Sequence, residues 1–344
     1  MQKKLIVAAL SAAIALPVSA FADVAGPTFY GKVFLTLDSV NSDQAAAVSK
    51  MRVNSNASRF GVKGSEDVGN GLKAFYQYEV QVDGDGSAGN GFGNGSRNTG
   101  AGLSGDFGQV SLGVNDTPYK VTHNKIELFD NTTAFTATNL IGRANGGTIS
   151  YVNRQKNMVQ YISPSLGGVK IAAMYAPDEA KTATTNKTVL SLSGTYDQDG
   201  IYAALGYESH PDGTTTGQTD SAMRLVGRYD FGMAWVGATL ESIKVNASAT
   251  NSYTESNMEL VGAYKMDAST IALSYAKAGK TDVANTGANQ ISLRYGYNFS
   301  KHTEVFAAYT SLKNDSAAAF GKVYSGATAG ATESAFGVGM LHSF

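Results

Sequence analysis

The 344-residue chain contains no cysteine. Disulfide bridging and thiolate chemistry are therefore excluded, and stability has to come from hydrogen bonding and packing. Proline is scarce, with six residues. Beyond the N-terminal segment, Pro27, Pro118, Pro164, Pro177 and Pro211 all fall at strand ends or in connections, where a missing N–H breaks no ladder. Apart from that N-terminal segment, no apolar run is long enough for a helical membrane span, so any crossing must be made by strands. Neither sign of charge dominates, with 27 basic and 28 acidic side chains. No basic stripe with interleaved aromatics is present, which argues against nucleic acid as a partner.

Chemistry-bearing clusters are missing too. His123, His210, His302 and His342 have no paired spacing for a metal. Asp83-Gly84-Asp85-Gly86 begins like a calcium loop, but Ser87 and Asn94 stand where the fifth and twelfth ligands would be needed, so a flexible external loop is expected. No base, orienter and nucleophile come together, and neither an enzyme nor a bound cofactor is expected.

The N-terminus reads as an export signal: Lys3 and Lys4, the apolar stretch Leu5 to Leu16, then the small-x-small site Ala20-Phe21-Ala22. Residues 1–22 are expected to be removed, leaving 23–344 as one unit. Glycine is abundant in the chain, at 39, beside 18 tyrosines and 15 phenylalanines. That composition suits crowded barrel walls and interfacial aromatic girdles.

Period-2 alternation recurs along the chain. From Gln290 to Phe299, Ile291, Leu293, Tyr295, Tyr297 and Phe299 share one face, and Gln290, Ser292, Arg294, Gly296 and Asn298 share the other. Leu72, Ala74, Tyr76, Tyr78, Val80 and Val82 oppose Lys73, Gln77, Glu79 and Gln81, with Phe75 as a misfit. The final residues alternate likewise, and the chain ends on Phe344. Strands with one face toward lipid and the other toward water have this pattern.

Seven tight turns (66–71, 105–108, 164–168, 197–200, 230–232, 266–269 and 300–303) alternate with eight longer polar stretches (41–56, 83–96, 116–147, 178–187, 210–219, 245–252, 279–288 and 314–333). The pattern predicts an all-β fold, a 16-stranded antiparallel transmembrane β-barrel with short periplasmic turns and long external loops. The third external stretch, 116–147, is unusually long. Its Ile126, Leu128, Phe129, Phe135, Leu140 and Ile141 would be badly placed in water, so it is expected to fold inward.

The residues resemble a family, the trimeric general-diffusion porins of the neisserial, beta-proteobacterial type. The resemblance rests on Ser58-Arg59-Phe60-Gly61-Val62-Lys63-Gly64-Ser65-Glu66-Asp67, Gly69-Asn70-Gly71-Leu72-Lys73-Ala74, Leu103-Ser104-Gly105-Asp106-Phe107-Gly108, Tyr161-Ile162-Ser163-Pro164 and the terminal Phe344. It implies an outer-membrane homotrimer, a third loop that narrows the lumen, and wall arginines facing acids at a constriction. By motif, those arginines are Arg59, Arg97 and Arg154. The acids are Glu79 on the wall and Glu127 and Asp130 in the loop. Val114-Asn115-Asp116-Thr117-Pro118 departs from the family's usual basic ending there. Phe344 would serve as the signal read by the barrel assembly machinery, and lipopolysaccharide would be a lipid partner.

Strand parity adds Lys32, Lys63, Lys170, Arg224, Arg228 and Arg294 as lumen-facing charges, because a lipid-facing arginine at mid-membrane costs ~2–4 kcal/mol. The expected function is a passive, water-filled channel for ions and small hydrophilic solutes with mild anion preference. A solute-specific channel and a surface adhesin or structural barrel are the alternatives.

Overall fold

The computed structural model describes residues 24–44, 47–87, 92–130, 132–321, 323–324 and 328–344. The expected signal segment lies outside them. No described helix is long and apolar enough to cross a membrane. The chain forms sixteen antiparallel staves: β1 (Val24–Ser42), β2 (Lys50–Ser55 and Arg59–Gly69), β3 (Leu72–Val82), β4 (Phe92–Ser96 and Thr99–Gly105), β5 (Gly108–Asp116), β6 (Arg154–Ile162), β7 (Val169–Ala176), β8 (Val189–Gln198), β9 (Ile201–Pro211), β10 (Thr219–Asp230), β11 (Ala234–Asn246), β12 (Ser252–Met266), β13 (Ser269–Ala278), β14 (Ala288–Asn298), β15 (Thr303–Asn314) and β16 (Thr332–Ser343). Each pairs with its sequence neighbours, and β16 returns to β1 through a register running from Lys32↔Ser343 to Ser42↔Glu333. The sheet is therefore closed, with no free edge.

Two expected loop stretches carry strand. Lys50–Ser55 lies inside 41–56, and Phe92–Ser96 inside 83–96. In the first case Met51 and Val53 do alternate outward, but the run is short and polar, and a break at Asn56–Ser58 with positive φ at Ala57 separates it from the rest of β2. The other boundaries shift by a few residues without changing the order of turns and loops.

Side-chain direction follows two solvents. Leu205, Leu225, Leu240, Leu260, Leu273, Leu293 and Val338 are exposed on the outer face, while their neighbours in sequence point into the barrel. Near the short turns Tyr229 stacks edge-on against Phe231, with centroids 4.6 Å apart, and Tyr297 against Phe299 at 5.1 Å. These aromatics form a girdle at the periplasmic interface.

Glycine supplies room. Tyr30, Phe75 and Phe306 sit directly across from Gly61, Gly102 and Gly339 in register, and a methyl group on any of these glycines would overlap the facing ring. An aromatic lying over a cross-strand glycine fills the wall without a gap. Phe75, the misfit in the β3 alternation, is one of these inward rings. Phe344 exchanges both backbone hydrogen bonds with Gly31 at 2.9 and 3.1 Å, and its ring covers that glycine. The chain terminus thereby zips β16 onto β1.

Candidate pore constriction

Six consecutive staves each bring one charge to the same level of the inner wall. Lys32 on β1 pairs in register with Arg59 on β2, and Gly61 two residues further pairs with Glu79 on β3. Arg97 occupies the break in β4, where its backbone N–H donates to Glu79 O at 2.9 Å. Asp116 ends β5 opposite Arg154, the first residue of β6.

The side chains form two linked clusters. Glu79 accepts from Arg97 Nε at 2.6 Å and Tyr30 Oη at 3.0 Å, and pairs with Arg59 at 3.6 Å. Asp116 accepts from Lys120 Nζ at 2.6 Å and from Asn98 Nδ2 at 3.2 Å, and pairs with Arg154 at 3.3 Å. Arg154 also donates to Asn98 Oδ1 at 2.9 Å. The Arg59 and Arg154 side chains remain 30 % and 25 % exposed, against 9 % for Arg97, so these two arginines present charge to water while Arg97 is largely covered.

The third external connection, 117–153, packs against the inner wall, as its apolar residues required. Ile126, Phe129, Phe135, Leu140 and Ile141 are buried, and the last four join Phe34, Phe306 and Leu312 of the wall in one cluster. The loop begins with a one-turn helix α1 (Pro118–Val121) capped by the Thr117 hydroxyl, which accepts from Lys120 N. A 3-10 turn (Ala137–Asn139) and a small hairpin (Arg143–Ala144 with Ile149–Ser150) follow.

Polar anchors tie this loop to β10, β11, β12 and β14. Glu241 accepts from Arg224 Nε and Nη2 at 2.9 and 2.6 Å, Gly142 N at 2.7 Å, Asn257 Nδ2 at 2.9 Å and the Tyr119 hydroxyl. His123 bonds Glu259 at 2.6 Å, and Ser292 donates to Phe135 O at 2.8 Å. The loop reaches back to β1 through the ion pair of Asp130 with Lys32.

Not every expected lumen charge meets water. Arg224 points inward but is fully covered by the third loop, with its guanidinium 4.2 Å from the Tyr119 ring centre. It is a buried anchor, because strand parity fixes the direction of a side chain and not what lies over it. Glu127 turns into the loop's own interior, accepting from Phe129 N at 2.9 Å and Thr136 Oγ1 at 2.8 Å, with His123 Nδ1 3.8 Å away. Burial holds its carboxyl above the usual glutamate range. Arg228 pairs with Asp230 at 2.7 Å and Arg294 with Glu304 at 2.8 Å, each lying over an aromatic ring. Lys63 sits 5.3 Å over Tyr30, and Lys170 borders a pocket with Val121 and Asn124 of the third loop.

Three features escaped sequence reasoning. Asp116 and Lys120 join the wall charges at the point where the family motif is interrupted. The eighth external connection also folds inward: Phe320 is buried in the third-loop cluster, and Arg52 donates to the Val323 and Tyr324 carbonyls at 2.7 and 2.5 Å. Its signal was Phe320 and Val323 in an otherwise polar stretch, the same signal that marked the third loop.

A closed barrel of sixteen staves, with an inward loop on one wall and a band of opposed charges on the other, has the architecture of a passive channel. The comparisons agree. The Gram-negative porin family model matches residues 8–317, and the chain belongs to that family. It is 30 % identical to outer membrane porin protein 32 of Delftia acidovorans, over 92 % of this chain and 93 % of that one. It is 27 % identical to the major outer membrane protein P.IB of Neisseria lactamica over the whole of both. Among solved structures, an anion-selective porin from Comamonas acidovorans superposes with a TM-score of 0.80 at 27 % identity, covering 93 % of this chain and 99 % of that one. The protein is a passive channel of the outer membrane.

Proposed function

We propose that the channel passes ions and small hydrophilic solutes by general diffusion with a mild preference for anions, and that the level of Lys32, Arg59, Glu79, Arg97, Asp116 and Arg154 sets that preference. The observation that carries this reading is the charge count at the waist: Lys32, Arg59, Arg97, Lys120 and Arg154 stand against Glu79, Asp116 and Asp130. Five cations facing three carboxylates leave a net +2 in a narrow, low-dielectric passage, where field lines are focused and small imbalances are felt by passing ions. The anion-selective relative from Comamonas supports the sign.

The reading also includes removal of residues 1–22 on export, insertion guided by Phe344, a homotrimeric assembly and lipopolysaccharide as a lipid neighbour. The resemblance supports these four. The test of general diffusion is a planar-bilayer recording of the purified channel. Conductance that rises in proportion to salt, with no saturation by any one sugar or organic anion, is expected. Saturation by one solute would replace the reading with a solute-specific pore, and a silent barrel with an adhesin.

A further inference from the structure

Two external connections meet inside the barrel. The third loop returns toward β6 through the hairpin of Arg143–Ala144 with Ile149–Ser150, and its turn holds Asn145, Gly146 and Gly147 at φ of +52°, +64° and +85°. Glycine adopts this left-handed path without strain, and two in a row leave the turn bare of side chains. The eighth connection fills that space. A Cβ placed on Gly146 would lie 3.3 Å from Ala319 N, and one placed on Gly147 would lie 3.8 Å from Phe320 Cα. The two connections therefore meet backbone against backbone.

The segment 315–321 is itself pinned. Asn314, the last residue of β15, is buried and clasps Phe320 at both of its backbone groups: Asn314 Oδ1 accepts from Phe320 N at 2.7 Å, and Asn314 Nδ2 donates to Phe320 O at 3.2 Å. Asp315 N and Ala317 N donate to Gly287 O and Asn285 O, each at 2.9 Å. The Phe320 ring is fully buried, in one apolar cluster with Leu312 of the wall and Phe129, Phe135 and Leu140 of the third loop. Phe129 packs against Phe135 with centroids 6.0 Å apart, and it immediately precedes Asp130, whose carboxylate pairs with Lys32 at the waist. A packed path thus joins the eighth connection to the charged band.

The wall makes two polar contacts to the same hairpin. Glu255 accepts from Asn145 N at 3.0 Å, and Asn257 Nδ2 donates to Arg143 O at 2.9 Å. Neither reaches the two glycines, which have no side chain to be held by.

We propose that Phe320 is a positioning residue for conduction: by packing over the glycine turn of the third loop and within its apolar cluster, it fixes the width and steadiness of the waist. The side chain is fully buried and meets no permeating ion, so it acts through the third loop alone. Truncating the ring would open a cavity shared by two loops, and close-packed interiors pass such a loss on to their neighbours. The inference rests on the channel reading and adds to it the element that holds the constricting loop from the external side.

The test records purified wild type, Phe320→Ala and Phe320→Leu in planar bilayers. The readouts are open-channel noise and the largest polyethylene glycol that still enters the pore. In Phe320→Ala the noise is expected to rise and the polymer cutoff to shift to longer chains, while Phe320→Leu stays close to wild type. The reversal potential should keep its sign in both, because Arg59, Arg97 and Arg154 are untouched. A second variant tests the contact itself. The natural chain has no cysteine, so G146C/A319C can form a single defined bridge. Comparing its oxidised and reduced forms separates the cross-link from the strain of a side chain at position 146. Oxidation is expected to lower the noise below that of the reduced form, and a thiol to restore it.

Wild-type noise and cutoff in Phe320→Ala, failure of positions 146 and 319 to cross-link, or a cross-link without effect on noise each overturns the inference. If Phe320→Ala does not fold, the comparison of oxidised and reduced G146C/A319C decides alone. A conducting wild type whose variants all match it refutes the positioning role and leaves the channel reading standing, whereas a silent wild type refutes the channel reading and the positioning role with it.

Discussion

Arg97 with Glu79 and Arg224 with Glu241 are both arginine–carboxylate pairs on the inner wall, each with a closest contact of 2.6 Å. Their surroundings differ. The first belongs to a band in which Arg59 and Arg154 remain partly exposed to the passage, while the second is wholly covered, at 0 % for both side chains. The partly exposed Arg59 and Arg154 are screened by water, contribute little to stability and remain available to passing ions. A covered pair interacts with nothing that permeates, and removing one partner strands the other in a dry interior. The same chemistry therefore acts on solutes at one place and holds a loop at the other.

The sharpest way to break the comparison is to remove one anchor partner. Glu241→Ala leaves Arg224 buried and unpaired and takes the shared acceptor from Tyr119, Gly142 and Asn257. A loss of about 3–5 kcal/mol in unfolding free energy is expected, read as a lower urea midpoint and accompanied by larger open-channel current fluctuations as the third loop is released. An unfolding midpoint equal to that of wild type would remove the anchor role. A smaller effect is expected from Glu127→Gln. Burial raises the Glu127 carboxyl, and an acid raised on folding favours its protonated form. Its stability contribution is intact below the ordinary glutamate value and declines as pH climbs from there through the raised one. Wild type should therefore lose thermal stability over that window faster than Glu127→Gln, and parallel pH profiles would refute the assignment.

The fold was legible because the membrane imposes a pattern simpler than that of a soluble core. Hydrocarbon on one side and water on the other force a strict period of two, as from Gln290 to Phe299, and the turn residues between strands mark where the chain reverses. The inward third loop was legible for a related reason, since Phe129, Phe135 and Leu140 have no favourable place in external water. The wall cluster of Arg59, Arg97 and Glu79 followed from motif and parity together. What parity cannot supply is the covering layer. It gave Arg224 and Arg59 the same inward direction, and only packing of Tyr119 and Gly142 against the wall separates them. Glu127 was misplaced because a loop has no fixed period, so spacing within it does not say which carboxylate faces the passage. The break before Arg59, at Asn56–Ser58, lacked any hydrophobic signature that would distinguish a broken strand from a loop.

The most direct measurement of the division of labour is the zero-current potential of single channels in a salt gradient, for wild type and for R59Q/R97Q/R154Q. Replacing the three arginines leaves Lys32 and Lys120 against Glu79, Asp116 and Asp130, which turns the net +2 of the waist into −1. The account predicts that the potential moves from the anion side through zero to the cation side. An unchanged potential would contradict it.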